Sequence, residues 1–218
     1  TSSSNEHQAT MGIMVHELGH LTYGLPDLYD TDGSSSGIGA FGVMSSGSWG
    51  AVGSEYSGET PVNASAWTKY AMQWVDDIEG SGTPALVASG SSTATASNTV
   101  VRASSGTSSQ YFLVENRQPL GYDQGLSRWL GSSFGGLAIW HVDATRSGNS
   151  SDSYRLTDLE EADGTQMGGD RGEASDLWSN RAGEVFGANS NPDSDLNNGA
   201  ASGVAMGNVS PSGTTMTL

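Results

Sequence analysis

The chain has 218 residues, 35% of them hydrophobic, with 24 Asp and Glu against eight Lys and Arg and a net charge of −16. Length and apolar content suffice for one large domain or two small ones around a packed core, which excludes a disordered tail. The charge disfavours nucleic acid and anionic membranes, and no run approaches the roughly 18 apolar residues of a membrane span.

Cysteine is absent, so the fold must be held by packing or bound cations rather than by disulfides or thiolate metal sites. Scarce Lys and Arg beside abundant Gly, Ser, Thr and Asn give the composition of an exported bacterial protein. The chain opens on Thr1-Ser-Ser-Ser without an initiator Met, and a segment removed from in front of it is expected.

From Glu6 to Tyr23 the residues Met11, Met14, Val15, Leu18 and Leu21 recur at the period of one helix face, which predicts a buried amphipathic helix. Gly24-Leu25-Pro26 ends it, since Gly caps a helix and Pro disfavours helix in the residue before it. Asp27 to Glu59 reads as Gly/Ser-rich loop, and a second helix is expected over Asn63 to Trp74. After Asp77 the character changes. Ala85–Ala88, Thr99–Arg102, Tyr111–Val114 and Gly136–Val142 read as strands between turns, with Ser89–Asn98 a hairpin or surface loop. The fold class is therefore α+β, with a helical and loop segment over 1–77 and a β-rich, sandwich-like segment over 78–218.

His16-Glu17-Leu18-Gly19-His20 is H-E-x-x-H on the first predicted helix. That spacing puts two imidazoles one turn apart on one face, where they can share a zinc ion, with Glu17 beside the metal. Two His and a third ligand leave one zinc position open for water, whose pKa falls to about 7. Glu17 then suits the role of general base, passing the water's proton to a leaving amine. The third ligand stays open at this stage: Asp27 just past the helix, Asp30 near it, or Glu55 or Glu59 further on.

His16 to Asp30 reads HELGHLTYGLPDLYD and continues TDGSSSGIGAFGVMSSGSWG, which resembles the immune inhibitor A type of bacterial metallopeptidase. The later stretches QYFLVENRQPLGYD, GGLAIWHVD and LTDLEEADG are similar to the β-rich part of that family. The resemblance implies secretion, zinc, calcium and broad endopeptidase activity on protein or peptide substrates. It implies a zincin-type catalytic domain with His16 and His20 as zinc ligands, Glu17 as catalytic residue, Asp27 as the acid after the helix and Met44 in the methionine turn beneath the metal. Only 15 residues precede His16, whereas such enzymes carry an upstream sheet, so the C-terminal part of that domain is expected here.

Asp27, Asp30 and Asp32, and separately Glu160, Glu161, Asp163 and Asp170 with Asp176 downstream, offer closely spaced oxygens suited to calcium. Tyr23 or Tyr29 could help at the oxyanion. His141, Trp129, Trp140 and Trp178 read as packing residues, and Glu115-Asn116-Arg117 as a structural pair at a strand end. The competing reading is a non-catalytic, calcium-stabilised β-rich module that retains a zinc helix.

Overall fold

The computed structural model describes residues 9–80, 82–107, 109–166, 169–179 and 185–218. The fold is α+β and centres on a four-stranded antiparallel sheet in the order β2-β3-β4-β5, formed by Val100–Ser104, Gln110–Arg117, Gly136–Asp143 and Thr157–Leu159. Two small ribbons accompany it: β1 (Ala85–Val87) pairs with β8 (Thr215–Thr217), and β6 (Val185–Phe186) with β7 (Met206–Gly207).

Every residue of β4 is buried, so the sheet is covered on both faces. Alternation along the strands divides the contacts. Leu113, Ala138, Trp140 and Val142 face a core that includes Leu28, Ile38, Phe41 and Met44. Phe112, Val114, Leu137 and Ile139 face a second core with Leu86, Phe186, Met206 and Met216 from the ribbons. Side chains from before and after residue 77 thus share the first core.

The first helix, α1, runs Met11–Tyr23, so the described residues Ala9 and Thr10 precede it rather than belong to it. It ends as the sequence predicts: Gly24 takes the left-handed conformation at φ 65°, and the Gly24 and Leu25 amides donate back to His20 and Gly19. The face it buries is not the predicted one. Gly12, His16 and Gly19 are buried, while Leu18 is 54% and Leu21 82% exposed, with Met14 and Val15 also exposed. The reason is steric. A Cβ on Gly12 would lie 1.8 Å from the Ser48 carbonyl oxygen, and one on Gly19 2.5 Å from Met44 Sδ. The Ser48 backbone beneath Gly12 and the Met44 side chain beneath Gly19 leave no room for larger residues.

The second helix, α2, is shorter than expected, running Ala66–Ala71. Ser65 caps its start by accepting from the Thr68 amide, and Gln73, two residues past Ala71, takes φ 57° and leaves the helical path. α2 rests on the sheet through a buried charge network. The Glu115 carboxylate accepts from Lys69 Nζ at 2.6 Å, Trp140 Nε1 at 3.1 Å and the Ala66 amide at 3.0 Å. Arg117 donates to Glu115 at 3.1 Å, to Asp123 through two nitrogens at 2.8 and 2.6 Å, and to the Phe41 carbonyl at 2.7 Å. Burial pushes Glu115 up, and the Lys69 and Arg117 charges outweigh it and hold the carboxyl below its ordinary value.

The close approach under α1 predicts the sign of two substitutions in urea denaturation. Gly12→Ala destabilises by about 2 kcal/mol despite the better helix propensity of Ala. Leu21→Ala, on the exposed face, costs under about 0.5 kcal/mol.

Candidate metal centre

The buried stripe of α1 carries His16 on its second turn and His20 on its third, and the left-handed Gly24 turns the chain so that Asp27 returns beneath them. His16 Nε2 lies 3.1 Å from His20 Nε2 and 3.1 Å from Asp27 Oδ1, and His20 Nε2 lies 3.2 Å from the same oxygen. Three ligand atoms at about 2.0–2.1 Å from one tetrahedral zinc ion would lie roughly 3.3 Å apart, so the triangle fits a metal of that kind.

The other ring nitrogens fix the tautomers. His16 Nδ1 lies 2.9 Å from the Val43 carbonyl oxygen and His20 Nδ1 2.6 Å from that of Leu25. A carbonyl only accepts, so each Nδ1 carries a proton, and in the neutral ring each Nε2 presents a lone pair to the cluster. Val43 is held by the loop that also carries Met44. Met44 is buried against Gly19, between the two histidines, and its carbonyl accepts from the Leu28 amide at 2.8 Å. Phe41 of the same loop is gripped by Arg117.

Glu17 points to the exposed side of α1 and lines a cleft of about 390 Å³ with His16, Tyr29, Trp49 and Arg171. The Tyr29 ring stacks on His16 with centroids 6.3 Å apart. Burial, followed by the Asp27 charge, pushes its hydroxyl above the ordinary value. Tyr23 instead packs edge-on against Trp74 at 5.8 Å and does not line this cleft.

The other site residues read from the sequence lie apart from the triangle. Asp30 is buried and accepts from the Asp32 and Ser35 amides and from Ser34 Oγ, which hold its carboxyl well below the ordinary range. Asp32 accepts from the Ser34 amide, in the same turn. Glu55 accepts from the Val52 amide and Thr60 Oγ1 on the surface. Glu160 faces His141 at 3.5 Å, and Asp170 accepts from the Gly172 amide. Asp163 lies with Glu173 and Asp176 in the second group of carboxylates, among the described residues, that could hold a cation. Glu173 had no signal in the sequence, since it stands ten positions from Asp163 with no ligand spacing to link them.

Residues 3–78 match the family model of the immune inhibitor A peptidase M6 catalytic domain. The segment is immune inhibitor A-like. The match takes in the whole His16–His20–Asp27 triangle and the Met44 loop of this metallopeptidase-like segment, and it ends where the β-rich strands begin. No curated protein matches the chain. No helix among the described residues is long and apolar enough to cross a membrane.

Asp176 supplies a pH test of the second acidic group. It is 2% exposed, and burial, aided by the neighbouring Asp163, Glu173 and Asp170 charges, pushes its carboxyl up to about 7. The folded chain then keeps a proton that the unfolded chain sheds near pH 4, so this residue's contribution to stability falls as pH rises from about 4 to 7. Asp176→Asn keeps the acceptor for the Glu173 amide and removes that loss. In urea denaturation the variant gains on the parent at pH 8 and not at pH 4.

Proposed function

We propose that this chain carries the active-site part of a secreted, zinc-dependent endopeptidase of zincin type, acting on extracellular proteins. In this reading residues 1–77 are the C-terminal part of the catalytic domain, with Met44 in its methionine turn, and residues 78–218 are a β-rich, sandwich-like domain. The observation that carries it is the convergence of two imidazole lone pairs and a carboxylate oxygen within 3.2 Å, with both Nδ1 protons committed to backbone carbonyls. A histidine pair kept only for packing needs no such commitment of both rings.

His16, His20 and Asp27 would hold the ion. Zinc bound there supplies Lewis acidity, favouring ionisation of water and polarising a scissile carbonyl. Glu17, on the solvent side of the same helix, takes the proton of the attacking water and delivers it to the leaving amine. Tyr29, stacked on His16 with its hydroxyl bonded to Asp27, is the phenol of the cleft, and in this reading it turns its proton to the developing oxyanion when Asp27 is engaged by the metal. Calcium enters this reading at Asp163, where Glu173 and Asp176 supply further carboxylates. The non-catalytic module is the less favoured reading, because an exposed Glu17 beside the triangle has no role in it.

Zinc content by elemental analysis and casein cleavage test the reading together. The parent chain binds zinc stoichiometrically. Glu17→Ala keeps the zinc and lowers kcat at least about 100-fold. Asp27→Ala loses more metal affinity than the roughly 10–100-fold that removing an outer-shell partner costs, while Glu55→Ala leaves affinity unchanged. A parent chain that takes up no zinc would sink the proposal.

A further inference from the structure

Arg171 lines the same cleft as His16, Glu17 and Tyr29, although it comes from the β-rich part of the chain far from H-E-x-x-H. Its backbone is fixed there. The Arg171 carbonyl accepts from the Ala40 amide at 2.8 Å, the Asp170 carbonyl accepts from Ser36 Oγ, and Gly172, at φ 105°, packs so tightly that a Cβ would lie 2.4 Å from the Phe41 ring. Phe41 is in turn held by Arg117 from the core. The segment is therefore anchored to the loop that supports His16.

The guanidinium itself has no partner. Lys69, Arg102, Arg117, Arg146 and Arg155 each pair with a carboxylate, and Arg128 lies over the Trp129 ring. Among the described residues Arg171 is the one cation without an ion pair, a hydrogen bond from its side chain or a ring beneath it, in a chain of net charge −16. An unmatched cation in the cleft that Glu17 also lines has a chemical use. Arginine stays protonated at any working pH, so it cannot act as a base, and its planar fork fits a carboxylate with two parallel hydrogen bonds.

We propose that Arg171 is a specificity-determining residue that receives a substrate carboxylate in the cleft beside Glu17, so that peptides with an acidic residue near the scissile bond are preferred. The proposal rests on the endopeptidase reading above. The carboxylate can come from a Glu or Asp side chain or from the end of a peptide chain, and both use the same two hydrogen bonds.

The test uses the full zinc-loaded chain and peptides blocked at both ends, in which a single Glu or Gln is stepped through the positions on either side of the cleaved bond. A neutral peptide with a free terminal carboxylate beside the bond distinguishes the second source. At one position the parent is expected to prefer Glu to Gln by about fivefold in kcat/KM, the range of a partly exposed charge-assisted pair. Arg171→Gln removes that preference while leaving the Gln peptides unchanged, and Arg171→Glu reverses it towards a Lys peptide. Calorimetric binding of the same peptides to the Glu17→Ala chain shows the same ranking without turnover. Equal losses on Glu and Gln peptides in Arg171→Gln, or a parent that cleaves both alike, overturn the assignment and leave the peptidase reading standing. A zinc-loaded parent that cleaves none of the peptides overturns the peptidase reading, and the role of Arg171 falls with it.

Discussion

The arrangement depends on one buried charge network. Glu115, Arg117 and Asp123 are essentially inaccessible to solvent, and Lys69 is 8% exposed. Removing such charges from water costs several kcal/mol each, and the cost is recovered only when every donor and acceptor is satisfied. Here the satisfied groups belong to different parts of the chain. Glu115 collects Lys69 and the first amide of α2, Asp123 collects the Asn63 amide, and Arg117 reaches the Phe41 carbonyl. The network thereby fixes both the second helix and the loop under the first to strand β3.

From that anchored loop the remainder of the centre follows in short steps. Phe41 leads to Val43, whose carbonyl orients His16, and to Met44, whose side chain fills the space under Gly19. Leu28, tied to the Met44 carbonyl, brings Asp27 to the histidines. The segment 170–172 docks on the same loop from the other direction and carries Arg171 to the rim of the cleft. A perturbation at Arg117 would therefore be felt at His16 and Arg171 together, through backbone contacts rather than through the field of the charge.

The two acidic regions differ in how they manage like charges. Asp30 is stabilised as an anion by amides and hydroxyls of its own turn, so it shapes the loop. Asp176 is buried among carboxylates with fewer donors and retains its proton to about pH 7. The same residue type thus plays opposite electrostatic roles, set by how many N–H and O–H groups reach it.

The sequence by itself determined the features that depend on local spacing: the helix carrying His16, Glu17 and His20, its stop at Gly24, and three of the four strands of the main sheet together with β1, whereas the short β5 gave no local signal. Those follow from periods of 3.6 and 2 and from the φ/ψ freedom of glycine, which act over a few residues. The tertiary structure alone decided which side of α1 is buried, because apolar periodicity marks a stripe without saying how closely backbone approaches, and Ser48 and Met44 leave room only for Gly12 and Gly19. It also decided that Asp27, rather than Asp30 or Glu55, meets the histidines, that Glu173 joins Asp163 and Asp176, and that Arg171 reaches the cleft. Each of those contacts is set by where the chain returns in space, and a local pattern carries no information about that.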